Sequence, residues 1–213
     1  MASTLTDILD AAAHGHFPPP DGGTTVVPQP SRRDAGVIAF TGHSVVFTDE
    51  DPQWVRRTLA TVECDPLAAT MNPRFLGALL DQTRRSMDTI DLLTVASSLD
   101  GPPPLPLTEL AGAGHPREVR ARRRRDDIGV WAADGGVVVL GRGVAGRWEA
   151  ATEVDDERRH RGLGRALATA ARHLVPDGQP VWAQQAVGNA RSVRAFQAAG
   201  FRPVGAEALL RAT

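Results

Sequence analysis

The stretch EVDDERRHRGLGRALATAARHL, residues 153–174, joins the end of an apolar strand-like run to the pattern of an amphipathic helix. Residues 158–165 alone hold four arginines, one histidine and two glycines. A helix N-terminus presents backbone N–H groups without intrahelical partners and carries partial positive charge, so it binds anions. Gly162 and Gly164 let an anion approach that backbone, and arginine binds phosphate oxygens through paired hydrogen bonds. The stretch therefore predicts a pyrophosphate-binding turn.

The second half of the stretch has the spacing of a helix with one apolar face. Its apolar residues recur at i, i+3, i+4, i+7, i+8 and i+11: Leu163, Ala166, Leu167, Ala170, Ala171 and Leu174. Two known phosphate loops do not fit the turn. A Walker loop needs a lysine after its last glycine, and the chain contains no lysine. A dinucleotide-binding loop needs glycine or alanine where Leu167 stands.

Strand-like runs lie on both sides of this helix. We assign five of them: IGVWAA (128–133), GVVVLGRGVAG (136–146), RWEAATEV (147–154), PVWAQQAV (180–187) and FRPVGAEALL (201–210). Asp134, Gly135 and Gly136 predict a hairpin between the first two runs. Asn189 is placed to cap a helix that Gly200 ends.

The N-terminal part alternates helices and strands without a motif that carries chemistry. A capped helix is predicted over 4–13, followed by a Pro/Gly-rich connector, a hairpin and further elements. GVIAF (36–40) and SVVFT (44–48) form the hairpin, Asp51–Pro52 and Asn72–Pro73 open two helices, and TIDLLTVA (89–96) is a strand.

These elements predict an α/β fold with a mixed, mostly antiparallel twisted sheet flanked by helices. Prolines and glycines in DGPPPLPLTELAGAGHP (100–116) break both helix and sheet. We therefore predict an N-terminal α/β region over 1–105 and a C-terminal core over 106–213. The N-terminal region supplies either part of a substrate cleft or a degenerate partner of the core.

Composition limits the kind of protein. The chain has 213 residues, 42% of them apolar, which is enough for a hydrophobic core. Cys64 is its one cysteine, and His14 and His16 are poorly spaced as ligands, so we expect no disulfide and no metal site. No apolar run is long enough to span a membrane, and acidic residues stand where a secretion signal needs basic ones. We expect a cytoplasmic protein without membrane contact.

Charge is divided unevenly along the chain. Residues 1–112 hold 7 arginines against 14 acidic residues, a net of −7, and residues 113–213 hold 17 against 11, a net of +6. A polyanionic ligand is therefore expected on the C-terminal half. The basic run RARRRRDD (120–127) lacks interleaved aromatic residues and is followed by acids. We interpret it as a solvated helix face and expect no nucleic-acid partner; an arginine-rich nucleic-acid binder stays an alternative.

Two motifs resemble the GNAT superfamily of acyl-CoA N-acetyltransferases. RHRGLG (159–164) matches the pattern R/Q-x-x-G-x-G/A after an apolar strand. Thirty residues on, Asn189, Ser192, Phe196, Gly200 and Phe201 are spaced like the second signature of that superfamily. The resemblance covers roughly residues 115–213.

The resemblance implies acetyl-CoA as co-substrate, without a metal. Backbone amides between His160 and Arg165 would bind the pyrophosphate, the strand edge at 152–154 would pair with the pantetheine, and Asn189 would bind it further along. The implied cofactor-binding residues are Thr152, Val154, Arg159, His160, Arg161, Gly162, Leu163, Gly164, Arg165, Asn189 and Phe196.

The implied reaction is direct attack of a primary amine, of a small molecule or a protein, on the thioester carbonyl. The amine must be neutral, so a base or a water chain is needed. Glu149 is the first candidate for the base, and Glu153 lies on the same face of the strand. A one-residue bulge in this strand would turn Trp148 and Ala150 toward the site in their place.

The departing thiolate also needs a proton donor. Many family members have a tyrosine on the second helix, where this chain has Phe196, and the chain contains no tyrosine. Ser192 or a water is the candidate acid. An alternative function is a catalytically weak acyl-CoA-binding or sensing module. The sequence does not fix the oligomeric state; a homodimer is one alternative, because dimers are common in proteins that resemble this one.

Overall fold

The computed structural model describes residues 3–110 and 116–212, apart from the side chain of Arg117. It divides into two compact units: residues up to Leu92 with those from Val204 onward, and residues Leu93–Pro203. The proline-rich segment around 100–106, where the sequence analysis places a boundary, lies within the second unit. The division at residues 105/106 stays a prediction.

Helices and strands are interspersed along the chain. They are α1 (Leu5–Ala13), β1 (Thr24–Val27), β2 (Asp34–Phe40), β3 (His43–Phe47), α2 (Pro52–Ala60), α3 (Pro73–Thr83), β4 (Arg85–Ser86), β5 (Ile90–Ala96), β6 (Thr108–Glu109), α4 (Pro116–Ala121), β7 (Asp126–Ala133), β8 (Gly136–Arg142), β9 (Trp148–Val154), α5 (Leu163–Leu174), β10 (Val181–Ala186), α6 (Ala190–Ala198) and β11 (Arg202–Ala212).

The first unit is a sheet in the order β1-β3-β2-β11, with β4 also on β11. Strands β1 and β3 are parallel, and the other pairs are antiparallel. Strand β1 lies in the stretch that the sequence predicts to be a connector. In the core of the first unit, α2 and α3 pack on the sheet through buried side chains that include Val37, Val46, Val55, Phe75, Leu79 and Leu210.

The predicted helix starts of this unit are present as polar caps. Thr4 and Asp7 form a capping box before α1. Asp51 and Asn72 each accept a hydrogen bond from a backbone N–H of the helix that follows, and each precedes a proline at the first helical position.

His43, which lies between the two strands of the predicted hairpin at 36–40 and 44–48, is the first residue of β3 and is buried. Its Nδ1 lies 2.7 Å from Asp21 Oδ1, and its Nε2 lies 2.9 Å from Thr25 Oγ1. The hydrogen bond with His43, together with one from the Gly23 N–H, lowers the pKa of Asp21. The histidine therefore fastens the connector to the hairpin.

The second unit is a sheet in the order β5-β10-β9-β8-β7-β6. Strands β9 and β10 are parallel, and β6, β7, β8 and β9 pair antiparallel in sequence. Helices α5 and α6 pack on one face through a core of Val138, Leu140, Ala150, Leu167, Ala171, Phe196 and Phe201 among others. Ala121 of α4 packs on the opposite face with Val130 and Val139.

The mixed, mostly antiparallel α/β fold predicted from the sequence is confirmed. Helix α5 has the predicted bounds, and the hairpin of β7 and β8 turns at Asp134 and Gly135 as expected. In the described ranges, no helix has the length and apolar character needed to cross a membrane.

Candidate functional site

A cavity of about 630 Å³ lies in the second unit, where β9, the N-terminus of α5 and the start of α6 come together. It is lined by Thr152, Glu153, Val154, Arg158, Arg159, His160, Gly162, Leu163, Gly164, Arg165, Asn189, Arg191, Ser192, Arg194 and Ala195.

The N-terminus of α5 forms one wall of the cavity. Gly162 is its N-cap residue, with a φ of +82° that favours glycine, and within the described ranges no side chain caps the helix. Residues 155–162 before it are all exposed. The amides of the first turn therefore have no side-chain partner, which is the arrangement that binds an anion.

A gap between two strands forms the second wall. Strands β9 and β10 pair only at Trp148↔Val181 and Glu149↔Trp182, although β9 continues to Val154 and β10 to Ala186. On its other edge, β9 pairs with β8 along its whole length. The two parallel strands thus separate after two residue pairs, and the cavity lies at the far end of β9.

Five arginines line the cavity and differ in their partners. Arg158 donates to Asp134 at 2.8 and 2.9 Å, and Arg159 is paired with Asp156 at 2.5 Å. The side chains of Arg165, Arg191 and Arg194 form no hydrogen bond or ion pair with the residues that the structure describes. Three guanidinium groups are therefore available to an anionic ligand. Among the described residues no cluster of His, Cys, Asp and Glu could hold a metal ion.

The structure brings most of the sequence-predicted site residues to this cavity. Those that line it are Thr152, Val154, Arg159, His160, Gly162, Leu163, Gly164, Arg165, Asn189 and Ser192. Arg161, Phe196 and Glu149 are not among the lining residues.

The side chain of Asn189 already forms one hydrogen bond within the protein. Its Oδ1 accepts a hydrogen bond from the Ser192 N–H at 3.1 Å and caps α6. Ser192, the candidate acid, lines the cavity at the same helix start. Their roles toward a ligand stay predictions.

Phe196 lies in the core and not in the cavity. Its side chain is buried, and its ring meets that of Phe201 edge-on with centroids 4.9 Å apart. Motif spacing selects the right helix, but helical rotation turns position 196 inward while Arg194 and Ala195 line the cavity. The structure thus places Phe196 in a packing role, in place of the expected contact with a cofactor.

Replacing Phe196 with tyrosine should destabilise the protein without adding an acid to the site. The new hydroxyl would enter an apolar core, and an unsatisfied buried polar group costs about 1–3 kcal/mol. Urea unfolding measures the loss, with Phe17→Tyr as control because Phe17 is 45% exposed. Equal stability of Phe196→Tyr and wild type would contradict this core assignment.

Glu149 lies outside the cavity in a buried ion cluster. Its Oε1 accepts hydrogen bonds from Arg147 Nε at 2.8 Å, Gln184 Nε2 at 2.9 Å and the Val144 N–H at 3.2 Å. Its Oε2 accepts one from Arg125 Nε at 3.0 Å. These contacts engage both oxygens of the carboxylate, and Glu149 is not among the residues that line the cavity.

The surroundings of Glu149 keep its carboxylate negatively charged. Burial alone would raise the pKa of Glu149, but the guanidinium groups of Arg147 and Arg125 outweigh that effect and lower the pKa to about 2. A carboxylate with so low a pKa is a poor proton acceptor at neutral pH. The choice of Glu149 as first candidate base is therefore not supported by the geometry.

Glu153 is the carboxylate among the described residues that line the cavity. Its Oε2 lies 2.5 Å from Arg120 Nη2 of α4. Glu149 and Glu153 do share one face of β9, since they lie opposite Gly141 and Val137 of β8.

Most of the basic run at 120–127 has partners within the unit. Arg120 is paired with Glu153, Arg122 with Glu118, and Arg125 with Glu149. The helix predicted over this run ends at Ala121. Its charge is thus largely compensated within the protein.

Sequence reasoning missed Arg158, Arg191 and Arg194 as cavity residues. Arg191 and Arg194 are three apart at the start of a capped helix, so they lie on one side of α6 next to Ser192. Their three-residue spacing, which begins two residues after the capping Asn189, could have indicated from the sequence that both arginines lie beside the site.

No family model matches the chain, and no curated protein matches it. Several solved structures are similar to it in fold. A GCN5-related N-acetyltransferase from Sphaerobacter thermophilus is 16% identical, with a TM-score of 0.40, over 65% of this chain and 56% of that one. Another from Kribbella flavida is 17% identical, with a TM-score of 0.44, over 85% and 89% of the two chains.

A tandem GNAT protein from the clavulanic acid biosynthesis pathway is 15% identical, with a TM-score of 0.38, over 64% of this chain and 57% of that one. The chain thus spans little more than half the length of the Sphaerobacter and tandem proteins. All three structures are described as members of the superfamily that the two sequence motifs resemble.

Proposed function

We propose that the protein is an acetyl-CoA-dependent N-acetyltransferase of the GNAT type, which acetylates a primary amine of a small molecule or a protein. The observation that supports this most directly is the uncapped N-terminus of α5 beside three unpaired arginines and the separated edge of β9. An anion cradle next to an open strand edge suits a ligand with a pyrophosphate at one end and an amide-containing arm at the other.

In this proposal the amides of residues 163–165 and the arginines of α6 bind the phosphates. The pantetheine extends along Thr152 and Val154 into the gap between β9 and β10. There the lone pair of the amine nitrogen attacks the thioester carbonyl, the C–S bond breaks, and the sulfur leaves as thiolate. The amine gives up one proton, and the thiolate takes one up.

Proton transfer is assigned to groups that border the cavity. Glu153, held by Arg120, or water accepts the proton of the attacking amine. Ser192 or water protonates the thiolate. A thiol pKa near 8.5 makes thiolate a moderate leaving group at neutral pH, so the absence of tyrosine does not preclude turnover.

A second function has one observation in its favour. The position that the second motif offers for a proton-donating tyrosine holds Phe196, which is buried in the core. A protein with this site and without an efficient acid would bind acyl-CoA and transfer its acyl group slowly. Such a module would sense acyl-CoA or bind a partner in response to it.

Acetyl-CoA should raise the melting temperature of the full chain. A ligand present at 100 times its dissociation constant adds about 2.7 kcal/mol of stability, which is roughly 5–11 °C for a chain of this size. Differential scanning calorimetry with acetyl-CoA measures the shift, and ATP and NAD are the controls.

A shift with acetyl-CoA followed by thiol release in a panel of primary amines would support the transferase. A shift without release for any amine would favour the binding module. A folded protein whose melting temperature is unchanged by acetyl-CoA would contradict both functions.

A further inference from the structure

The gap between β9 and β10 begins at a point that is fixed by side chains. Main-chain pairing of the two strands ends at Glu149↔Trp182. Two residues farther along β10, Gln184 donates from Nε2 to Glu149 Oε1 at 2.9 Å. A side-chain hydrogen bond therefore links the two strands where their ladder stops.

The link is held by a third segment. Arg125, which follows α4, donates from Nε to Glu149 at 3.0 Å and approaches Gln184 Oε1 with Nη2 at 3.5 Å. Arg147, just before β9, donates to the same carboxylate, and its guanidinium lies 5.2 Å from the ring centroid of Trp182. The carboxylate thus joins β9, β10 and the α4–β7 connection.

The surrounding backbone is shaped to admit this carboxylate. A Cβ atom on Gly143 would lie 2.1 Å from Glu149 Cδ and 2.3 Å from each carboxylate oxygen. The Val144 N–H that follows donates to Oε1. A side chain at position 143 would displace the Glu149 carboxylate from its hydrogen-bond partners, so glycine there matches the position of the cluster.

We propose that Glu149 is a positioning residue that, with Gln184 and Arg125, sets where β9 and β10 separate and so holds open the strand edge that receives the acyl-CoA arm. This rests on the proposed function, because the edge beyond the cluster is the one assigned to the pantetheine. The proposal separates Glu149 from proton transfer: its carboxylate bridges two strands and does not touch the reacting atoms.

Gln184→Met tests the link while leaving both arginine–Glu149 ion pairs in place. We expect acetyl-CoA to bind about three- to tenfold more weakly by isothermal titration calorimetry, the effect of one lost hydrogen bond. Backbone amides of 150–154 and 183–186 should exchange hydrogen faster than in wild type. Gln185→Met is the matched control, because Gln185 is a buried neighbour on β10 that bonds to Thr94 instead.

Glu149→Gln separates positioning from base catalysis. A positioning role predicts weaker acetyl-CoA binding, little change in kcat and an unchanged pH profile. Because the two side chains share one hydrogen bond, the Glu149→Gln/Gln184→Met double variant should lose less affinity than the sum of the two single losses. Loss of a general base would instead lower kcat by about 10²–10⁴ and leave acetyl-CoA binding intact. That result would overturn the proposal.

Hydrogen exchange keeps the test independent of the proposed function. If the wild type binds no acetyl-CoA, the transferase proposal fails. Faster amide exchange at 150–154 and 183–186 in Gln184→Met, but not in Gln185→Met, would still support the role of the Gln184–Glu149 hydrogen bond. Wild-type exchange at 150–154 and 183–186 in folded Gln184→Met would overturn it.

Discussion

Gly164→Trp should abolish acetyl-CoA binding, with a loss of at least 100-fold, while the protein stays folded. Gly164 lies in the first turn of α5 and lines the cavity, and its φ is not in the left-handed region. A Cβ there would meet only Ala195 Cβ and Val154 Cγ2, each at 3.7 Å, which is ordinary contact. The indole would therefore fill the space of the anion without straining the backbone. Isothermal titration calorimetry measures the loss, about 2.7 kcal/mol or more.

Gly164→Ala is the matched control. The methyl group fits at contact distance, so binding should stay within a few-fold of wild type. Gly162 is unsuitable for this comparison, because its φ of +82° would add backbone strain to any steric effect. Normal acetyl-CoA affinity in a folded Gly164→Trp variant would show that the ligand does not lie at the start of α5.

Reversing both α6 arginines, Arg191→Glu with Arg194→Glu, should weaken acetyl-CoA binding by about 100-fold or more. Neither side chain has a partner among the described residues, so both can bind phosphate, and each charge-assisted hydrogen bond contributes about 1.5–3 kcal/mol. The effect should shrink for acetylpantetheine, which lacks the phosphates. Competition binding with both thioesters separates the phosphate contribution from any general damage.

The control for this change in charge is Arg56→Glu with Arg74→Glu. Both arginines are exposed residues of the first unit, neither lines the cavity, and the net charge changes by the same amount. We expect acetyl-CoA affinity close to wild type. Equal weakening by both double variants would mean that net charge, and not the α6 arginines, determines affinity.

Local patterns predicted much of the second unit. The apolar period of α5 gave its bounds at Leu163 and Leu174, and the Asn189 cap gave the start of α6. These features depend on neighbouring residues alone. Strand β1 was missed because its four residues, TTVV, lie among prolines and glycines and become a strand only by pairing with β3.

The roles of Glu149 and Phe196 could not be found in this way. Alternation along β9 gives the face of Glu149, but not that Arg125 would reach that face from 24 residues away. Motif spacing places Phe196 on α6, but the packing of Phe201 against it determines which side faces the core. In both cases the deciding contact is distant in sequence.

Strand β11 gives the chain a particular order of folding. It pairs with β2 over seven consecutive residue pairs, from Gly205↔Phe40 to Arg211↔Asp34. Until those residues have been synthesised, β2 is paired with β3 on one edge only and exposes unpaired N–H and C=O groups along the other edge. During translation the first unit can therefore be completed only after all of residues Leu93–Pro203 have been synthesised, which departs from the usual N-terminal-first order. An N-terminal fragment that ends at residue 105 would lack β11 and leave one edge of β2 open and prone to aggregation.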